Sequence, residues 1–282
     1  MKYYIIIPAH NEGRFMETTL QSLVNQTVRP YRIVVIDDHS TDNTYSIAHA
    51  FSEKYPFVSV IKNISESQHE PGSKVIRAFL KGLKTLDSDY DFIVKADADL
   101  IFPDNYFETI MQHFEADEKV GMAGGFAYIE KNSNWVLESL TGKDHIRGAF
   151  KAYRKECFKD IGGLQPAMGW DTLDELLALY HGWKIKTDES LKVKHLKPTG
   201  ANYNRSAGKK QGVAFYSLGY GFLLTMIASL KLAFKKKKIV FFLDYVRGYF
   251  SAYLRKTPKL VNHKQEKFIR KYRWKKILEK FL

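Results

Sequence analysis

The chain has 282 residues, of which 45% are hydrophobic and 27% are charged, with 18 glycines and 8 prolines. This balance is typical of a globular protein with a core, and it excludes collagen-like and linker-dominated chains. The single cysteine, Cys157, excludes an internal disulfide framework and most structural zinc sites. The first residues pass from Lys2 into a short apolar run that ends at Pro8. That pattern predicts a buried first strand and not a secretion signal.

The net charge of +13 is unevenly distributed along the chain. Residues 1–204 hold 24 Lys and Arg against 28 Asp and Glu, whereas residues 205–282 hold 20 against 3. Such a shift predicts a domain boundary near residue 204, between an acidic body and a basic tail. A tail of this charge indicates a polyanionic partner, either nucleic acid or an anionic membrane.

The basic tail is also apolar. Residues 211–230 carry no charge, four lysines occupy 235–238, and an aromatic run follows at 239–254. The length of the first segment makes it a candidate membrane span, but Gly, Ser, Thr and Gln dilute it. A single span would also place the 17 basic residues that follow it on the outer side of the membrane, against the tendency of basic residues to stay on the inner side. We therefore predict amphipathic helices lying in the membrane plane, with helices packed on the body as the alternative.

Nucleic acid is the less favoured polyanion. The sequence contains no motif with a known docking geometry on DNA or RNA. The aromatic residues stand in apolar, helix-like runs and not as stacking platforms between basic residues. We therefore expect no nucleic-acid partner.

The body alternates strands and helices in chain order. Hydrophobic periodicity and punctuation by Pro, Asp and Gly predict strands at 5–8, 32–37, 58–61 and 92–94, and helices at 13–25, from a cap at Asp42 to 54, at 74–86, and from Pro103 to 114. Uninterrupted β-branched runs are expected for parallel strands that are covered on both faces. The alternation predicts an α/β fold with a mostly parallel central sheet and right-handed crossovers.

Polar residues follow three of the predicted strands, at 9–12, 37–42 and 97–99. In open α/β sheets, ligands bind beyond the carboxyl ends of the strands. Asp97 and Asp99 can share a hard cation with phosphate oxygens and water. The chain has no glycine-rich phosphate loop. The pattern therefore indicates a nucleotide held by carboxylates and a metal, with its diphosphate as a leaving group.

An ordered series of motifs resembles the family 2 glycosyltransferases of the GT-A fold. The matching segments are 6–12, 35–42, 97–99, 145–148, 153–154, 161–164, 169–171, 182–183 and 195–200. The resemblance covers about residues 1–204, which would be the catalytic domain. It implies an inverting, hexosyltransferase-type enzyme that uses a UDP- or GDP-sugar.

The resemblance also implies roles for single residues in binding the donor. Asp38 would bind the base, with Asp37 as the alternative, and Asp99 and His195 would ligate Mn²⁺ or Mg²⁺. The other residues implied at the nucleotide are Pro8, Ala9, His10, Glu12, Lys74 and Asp97.

The base that deprotonates the acceptor would be Asp171. Many relatives carry a Glu-Asp pair here, whereas this chain has Trp170-Asp171, so Asp174 and Glu175 stay rivals. Trp170, Asp174 and Arg147 are candidates for contact with the acceptor or the diphosphate. The alternative for Asp171 is a structural one, as the cap of a helix at 172–181.

The resemblance and the basic tail together imply a lipid-linked saccharide acceptor in cell-envelope polysaccharide or glycolipid synthesis. They place the protein at the cytoplasmic face of the inner or plasma membrane, bound peripherally or monotopically, with 205–282 as the membrane-associating region. Two alternatives stand beside this hypothesis. One is a nucleotidyltransferase that makes a sugar nucleotide, which would usually open with a glycine-rich basic loop where this chain has 9–13. The other is a non-catalytic membrane-binding module.

Overall fold

The computed structural model describes residues 1–64, 72–138, 142–197, 205–235 and 239–279. The chain divides into two compact units. The first comprises Met1–Pro166 and His181–Thr199, and the second comprises Ala167–Tyr180 and Gly200–Leu282. The boundary expected near residue 204 from charge stays a prediction, and the second unit also includes a segment that precedes that boundary.

The first unit contains the strands and five of the helices of the described residues. The strands are β1 (Tyr3–Ala9), β2 (Arg32–Asp38), β3 (Val58–Asn63), β4 (Phe92–Ala96), β5 (Leu100–Ile101), β6 (Val120–Lys131), β7 (Asn134–Leu137), β8 (Phe150–Arg154) and β9 (Lys184–His195). The helices are α1 (Gly13–Val24), α2 (Thr44–Lys54), α3 (Ser73–Leu83), α4 (Tyr106–Ala116) and α5 (Lys155–Asp160).

The strands form one sheet in the order β3-β2-β1-β4-β8-β6-β9-β5, and β7 pairs with β6. Strands β3, β2, β1 and β4 run parallel, which is the part of the sheet that the alternating sequence predicts. Beyond β4 the sheet is mixed, since β8 is antiparallel to β4 and β6, whereas β6 and β9 are parallel. The expected α/β class is confirmed.

The core is packed around the parallel strands. All seven residues of β1 are buried, as are the last six of β2, so apolar helices must cover both faces of this part of the sheet. Helix α3 packs on β1 and β2. Gly82 permits this close approach, because a Cβ there would lie 2.8 Å from Ile6 and 3.1 Å from Ile36.

Three predicted helix boundaries are corrected. Helix α3 ends at Leu83 and not at 86, because residues 84–86 leave the helix through turns. Helix α4 begins at Tyr106 and not at Pro103, whose carbonyl instead accepts the Tyr106 N–H in a preceding turn at 3.0 Å. The cap position of α2 is Asn43, although the carboxylate of Asp42 accepts the N–H of Thr44 at 3.0 Å.

The second unit is helical in the described residues. It contains α6 (Trp170–Tyr180), α7 (Arg205–Ser217), α8 (Gly221–Lys235), α9 (Val240–Leu254) and α10 (His263–Leu278). The uncharged segment 211–230 is thus split between α7 and α8, where Gly219 and Gly221 both have φ +73. No helix of the described part of the chain is long and apolar enough to span a bilayer.

Helices α7 and α9 cross at two glycines. A Cβ on Gly212 would lie 1.9 Å from the carbonyl oxygen of Tyr245, and one on Gly248 would lie 2.1 Å from that of Lys209. Any larger side chain at either position would therefore push the two backbones apart.

Candidate functional site

A two-residue strand joins two of the predicted metal ligands. In the antiparallel pair β5–β9, Leu100 is opposite His195, and the N–H of Leu196 donates to the carbonyl of Asp99 at 2.9 Å. Asp99 directly precedes β5, so this pairing brings its carboxylate to the imidazole. Oδ2 of Asp99 lies 3.4 Å from Nε2 of His195, and both side chains are buried.

A second carboxylate contacts the other side of the same ring. Oε2 of Glu138 lies 3.1 Å from Nδ1 of His195, and the Arg147 guanidinium contacts that same oxygen. Glu138 is itself buried at the end of β7, where its N–H donates to the carbonyl of Ala127 at 2.9 Å. Arg147 thus lies against the carboxylate that adjoins the predicted metal site.

Sequence reasoning missed Glu138. A single glutamate after a short hairpin strand has no motif around it, and 57 residues separate it from His195. The only signal in the sequence is a carboxylate beside the hairpin of β6 and β7, and that signal is weak without the pairing of β6 with β9.

The residues fit a divalent cation that is held mainly by a diphosphate. Among the described residues no group of three or more His, Cys, Asp or Glu is arranged to hold a metal by itself. Mg²⁺-type sites commonly use one or two side chains and take the rest of their ligands from phosphate and water. Neighbouring ligands at about 2.1 Å on an octahedron lie roughly 3 Å apart, close to the separation of Asp99 and His195.

The hydrogen-bonding capacity of His195 is compatible with a metal ligand. The form of imidazole that ligates a metal is neutral, with one N–H and one lone pair. If Nδ1 donates to Glu138, the lone pair of Nε2 faces a carboxylate that offers only further lone pairs. A cation between Nε2 and Asp99 would satisfy both. The donor set therefore fits Mn²⁺ or Mg²⁺.

Glu12 and Lys197 form an ion pair near this cluster. Nζ of Lys197 donates to Oε1 of Glu12 at 2.9 Å, across 185 residues of sequence. Burial raises the pKa of Glu12, as do the negative charges of Asp99 and Asp97, while Lys197 opposes the shift. The pKa of Lys197 is raised by its hydrogen bond to Glu12 and further by the same two aspartates. Oε2 of Glu12 is buried without a hydrogen-bond partner among the described residues.

The predicted nucleotide-binding residues of β1 and β2 lie side by side. Pro8 and Ala9 end β1, where Ala9 is paired with Asp37. Nδ1 of His10 contacts the carbonyl of Asp38 at 2.7 Å, and Oδ1 of Asp38 accepts from Asn63 at 2.6 Å. Oδ1 of Asp37 is buried and has no hydrogen-bond partner in the described part of the chain, so it offers an acceptor to a ligand.

Asp97 adjoins a buried lysine that sequence reasoning also missed. The ammonium of Lys95 contacts the Asp97 carboxylate, and Lys95 is 2% exposed. Asp97 is anchored by its N–H, which donates to the carbonyl of Ala149 at 2.8 Å. Lys74 lies half-buried in the first turn of α3, and no contact among the described residues joins it to this cluster.

Three of the residues predicted on the acceptor side lie on α6 in the second unit, whereas Arg147 lies in the first unit. This helix begins at Trp170, so Asp171 is in its first turn and not at its cap. Trp170 is buried, and Asp171 is half-buried. Asp174 is 3% exposed, and its Oδ1 accepts the N–H of Glu175 at 2.6 Å. The alternative that Asp171 is the cap of this helix is therefore wrong. Asp171 is also more accessible than Asp174.

The family model of glycosyl transferase family 2 matches residues 4–168 of the chain. The match covers the parallel strands, the three acidic strand ends and the Glu138–Arg147 contact. The chain belongs to glycosyl transferase family 2. The predicted resemblance is confirmed.

Curated relatives agree with this membership. The glycosyltransferase YibD of Escherichia coli K12 is 30% identical over 163 residues, which cover 54% of this chain and 45% of the relative. The poly-beta-1,6-N-acetyl-D-glucosamine synthase of Staphylococcus epidermidis is 24% identical over 200 residues, covering 64% and 44%. The chain thus spans less than half the length of these relatives.

Solved structures show the fold. A mannosyltransferase from Pyrobaculum calidifontis, in complex with GDP-Man and Mn²⁺, has a TM-score of 0.59 at 16% identity. The superposition covers 90% of this chain and 75% of that one. The 1–349 fragment of Staphylococcus aureus TarS, in complex with UDP-GlcNAc, also has a TM-score of 0.59 at 16% identity, covering 89% and 73%. The fold of this family 2 chain is the GT-A fold.

Proposed function

We propose that this chain is an inverting glycosyltransferase that moves a hexose from a UDP- or GDP-sugar to a saccharide hydroxyl, with Mn²⁺ or Mg²⁺ as cofactor. The observation that carries the proposal is the contact between Asp99 and His195 at the end of the sheet. Family membership and the GT-A fold support the class of reaction. The mannosyltransferase with GDP-Man and Mn²⁺ supports the class of donor and cofactor.

Asp99 and His195 would hold the cation. When bound there, it would supply Lewis-acid stabilisation of the charge on the departing nucleotide diphosphate. Glu138 would keep the Nδ1 proton of His195 in place, so that Nε2 presents its lone pair towards Asp99. Arg147 would hold Glu138 in turn.

The nucleotide would be held by the ends of β1, β2 and β4. We propose Asp38 at the base, with Asp37 as the alternative that gains support from its open Oδ1. Asp97, positioned by Lys95, would accept from the ribose. Pro8, Ala9, His10, Glu12 and Lys74 would complete the nucleotide pocket.

The acceptor hydroxyl would be deprotonated by Asp171. General-base catalysis needs a carboxylate that the hydroxyl can reach, and Asp171 is half-buried whereas Asp174 is buried and bonded to its neighbour. The role itself rests on the family resemblance. Attack opposite the nucleotide would invert the anomeric configuration.

We propose a lipid-linked saccharide as acceptor and the cytoplasmic face of the plasma or inner membrane as location. Support comes from the basic charge of residues 205–282 and from the exposed apolar side chains of α8 and α9. Both features suit an enzyme whose acceptor is confined to a bilayer.

The test is donor hydrolysis by the purified full chain, with UDP- and GDP-sugars, with and without Mn²⁺. We expect cation-dependent release of nucleoside diphosphate from one donor. The Asp99→Asn variant should lose about 10²–10³-fold in turnover. The matched control is Asp104→Asn, which removes an exposed carboxylate five positions along and should keep full turnover.

Two results would contradict the proposal. One is full turnover by the Asp99→Asn variant, which would show that Asp99 does not hold the cation. The other is the absence of both nucleotide binding and turnover with every donor and with saccharide acceptors added. Release of pyrophosphate from a nucleoside triphosphate would favour a nucleotidyltransferase instead.

A further inference from the structure

Helix α8 presents its most apolar side to the outside of the second unit. Leu223, Ile227, Leu230 and Phe234 are between 38% and 68% exposed. Their spacing of four, three and four residues places them within about 60° of one another around the helix axis. They form one continuous stripe, which we call the α8 face.

The opposite side of α8 contains its two hydroxyl residues, Thr225 and Ser229, whereas Lys231 is exposed. Thr225 is 1% exposed and donates its hydroxyl to the carbonyl of Gly221 at 2.7 Å, and Ser229 is fully buried. A surface helix in water normally shows the reverse arrangement, with its polar side exposed. Apolar side chains therefore make up most of the exposed side of α8.

Helix α9 also exposes apolar side chains along one stripe. Leu243, Phe250 and Leu254 are 51%, 42% and 76% exposed, and with the exposed Arg247 they share the spacing of four, three and four residues. Asp244 on the same helix is 1% exposed. We call the three apolar residues and Arg247 the α9 face.

The two faces belong to neighbouring helices. Helix α8 packs against α9, and the rings of Phe222 and Phe250, each about half exposed, lie 5.5 Å apart. Of the seventeen large apolar side chains that are exposed in the described part of the chain, eleven fall within residues 222–254. A concentration of this kind marks a binding surface, since single exposed apolar residues are ordinarily scattered.

The charges around the faces indicate the partner. Residues 205–282 carry 20 basic and 3 acidic residues, and Lys231, Arg247, Arg255 and Lys256 are exposed on α8, on α9 or just after α9. A second copy of the chain would bring two strongly positive surfaces together. An anionic lipid surface would neutralise them.

We propose that the α8 and α9 faces insert into the boundary between headgroups and acyl chains of an anionic bilayer, with both helices in the membrane plane. A helix of 15 residues is roughly 22 Å long, less than the hydrocarbon core of about 30 Å. Lying flat, the apolar stripes reach the acyl chains while the basic residues contact lipid phosphates. Binding of this kind is independent of sugar transfer.

The test is co-sedimentation of the full chain with vesicles. Vesicles of phosphatidylglycerol and phosphatidylcholine in equal parts should bind the protein, and phosphatidylcholine alone should bind it at least tenfold more weakly. The double variant Leu230→Gln with Phe234→Gln should lose at least tenfold in binding to the anionic vesicles. The matched control is Ile64→Gln, which changes a side chain that is 85% exposed in the first unit and should bind unchanged.

Donor hydrolysis in solution separates this proposal from the proposed function. The double variant should keep its donor hydrolysis in solution, because both changed side chains are exposed on α8. Circular dichroism and a thermal unfolding curve establish that the variant is folded, and an additional variant, Leu223→Gln, should weaken vesicle binding in the same direction. Failure of hydrolysis in all proteins alike would bear on the catalytic proposal and not on this one.

Three results would overturn the proposal. The first is no binding of the unchanged protein to anionic vesicles. The second is equal binding of the double variant, which would show adsorption by charge alone. The third is a dimer of the unchanged protein in lipid-free sedimentation velocity that the double variant dissociates, which would assign the two faces to a second copy.

Discussion

Nδ1 of His195 lies 3.1 Å from Oε2 of Glu138, and both side chains are buried. A carboxylate on the distal nitrogen of a metal-binding histidine fixes the tautomer and orientation of the ring. Arg147 contacts the same carboxylate. Through this chain of contacts, residues from the β6–β7 hairpin and the following loop influence the predicted cation site.

We expect Glu138→Gln to weaken Mn²⁺ binding by about 10- to 100-fold, because an amide holds the His195 ring less firmly than a carboxylate. The measurement is a calorimetric titration with Mn²⁺ in the presence of saturating nucleoside diphosphate. The control is Glu130→Gln on β6, which removes an exposed carboxylate and should leave the affinity unchanged. An unchanged affinity of folded Glu138→Gln would show that Glu138 has only a structural role.

The two aspartates of α6 should respond differently to the same change. Asp171→Asn should lower turnover by about 10²–10⁴-fold while nucleotide binding is retained, because an amide cannot accept the acceptor's proton. Asp174→Asn should keep most of the turnover, because the amide oxygen can still accept the N–H of Glu175 and the proposal does not use Asp174 as the base. Turnover, nucleotide affinity and unfolding midpoint are measured for both variants. The reverse pattern would make Asp174 the base.

We expect the ion pairs of Glu266 to make the stability of the protein fall in acid. Burial alone would raise the pKa of Glu266, but Lys259, whose Nζ donates to Oε2 at 2.7 Å, and Arg270 together lower it. The folded state binds this proton more weakly than the unfolded chain does. The stabilising contribution of Glu266 is therefore fully present at a pH above 4.5, the ordinary pKa of a glutamate, and is lost as the pH falls through the lowered pKa.

The variant Glu266→Gln should cost about 1–2 kcal/mol of unfolding free energy near pH 7, a range reduced for the partial exposure of both cations. The difference from the unchanged protein should shrink below pH 4.5 as the native carboxyl takes up its proton. Urea unfolding of both proteins at several pH values measures this difference in unfolding free energy. A difference that is constant with pH would argue for lost packing instead of lost charge.

Gly248→Ala should destabilise the second unit. The new Cβ would lie 2.1 Å from the carbonyl oxygen of Lys209, so α7 and α9 must separate at their crossing. We expect a cost of about 1–3 kcal/mol from overpacking, although alanine alone favours a helix by about 1 kcal/mol. Chemical unfolding followed by circular dichroism gives the value. Ser251→Ala on the same helix is the control and should leave the midpoint in place; an equally stable Gly248→Ala would contradict the close crossing.

Much of the first unit could be predicted from local pattern. The runs that form β1, β2 and β4 are apolar and β-branched, so burial on both faces of a parallel sheet is their favoured state. Because parallel strands end at a common edge, the positions of Glu12, Asp37 and Asp97 at one site followed from the order of the elements.

Helix ends were predicted less well. The start of α4 at Tyr106 depends on a turn that includes the Pro103 carbonyl, and the start of α6 at Trp170 depends on a turn from Ala167. Local sequence offers several residues able to begin each helix, and the choice among them is made by the packing of the rest of the fold.

By itself, the sequence determined the strand and helix alternation, the acidic strand ends, the family motifs and the basic, apolar tail. Each of these features is a pattern of residues that are close together in the sequence. Only the tertiary structure decided the pairing of Leu100 with His195, which joins Asp99 to the imidazole. It also decided the position of Glu138 on the other ring nitrogen and the outward turn of the apolar side of α8. These features depend on strand register and helix rotation between distant segments, and such choices are fixed by which surfaces can be buried together and not by local propensity.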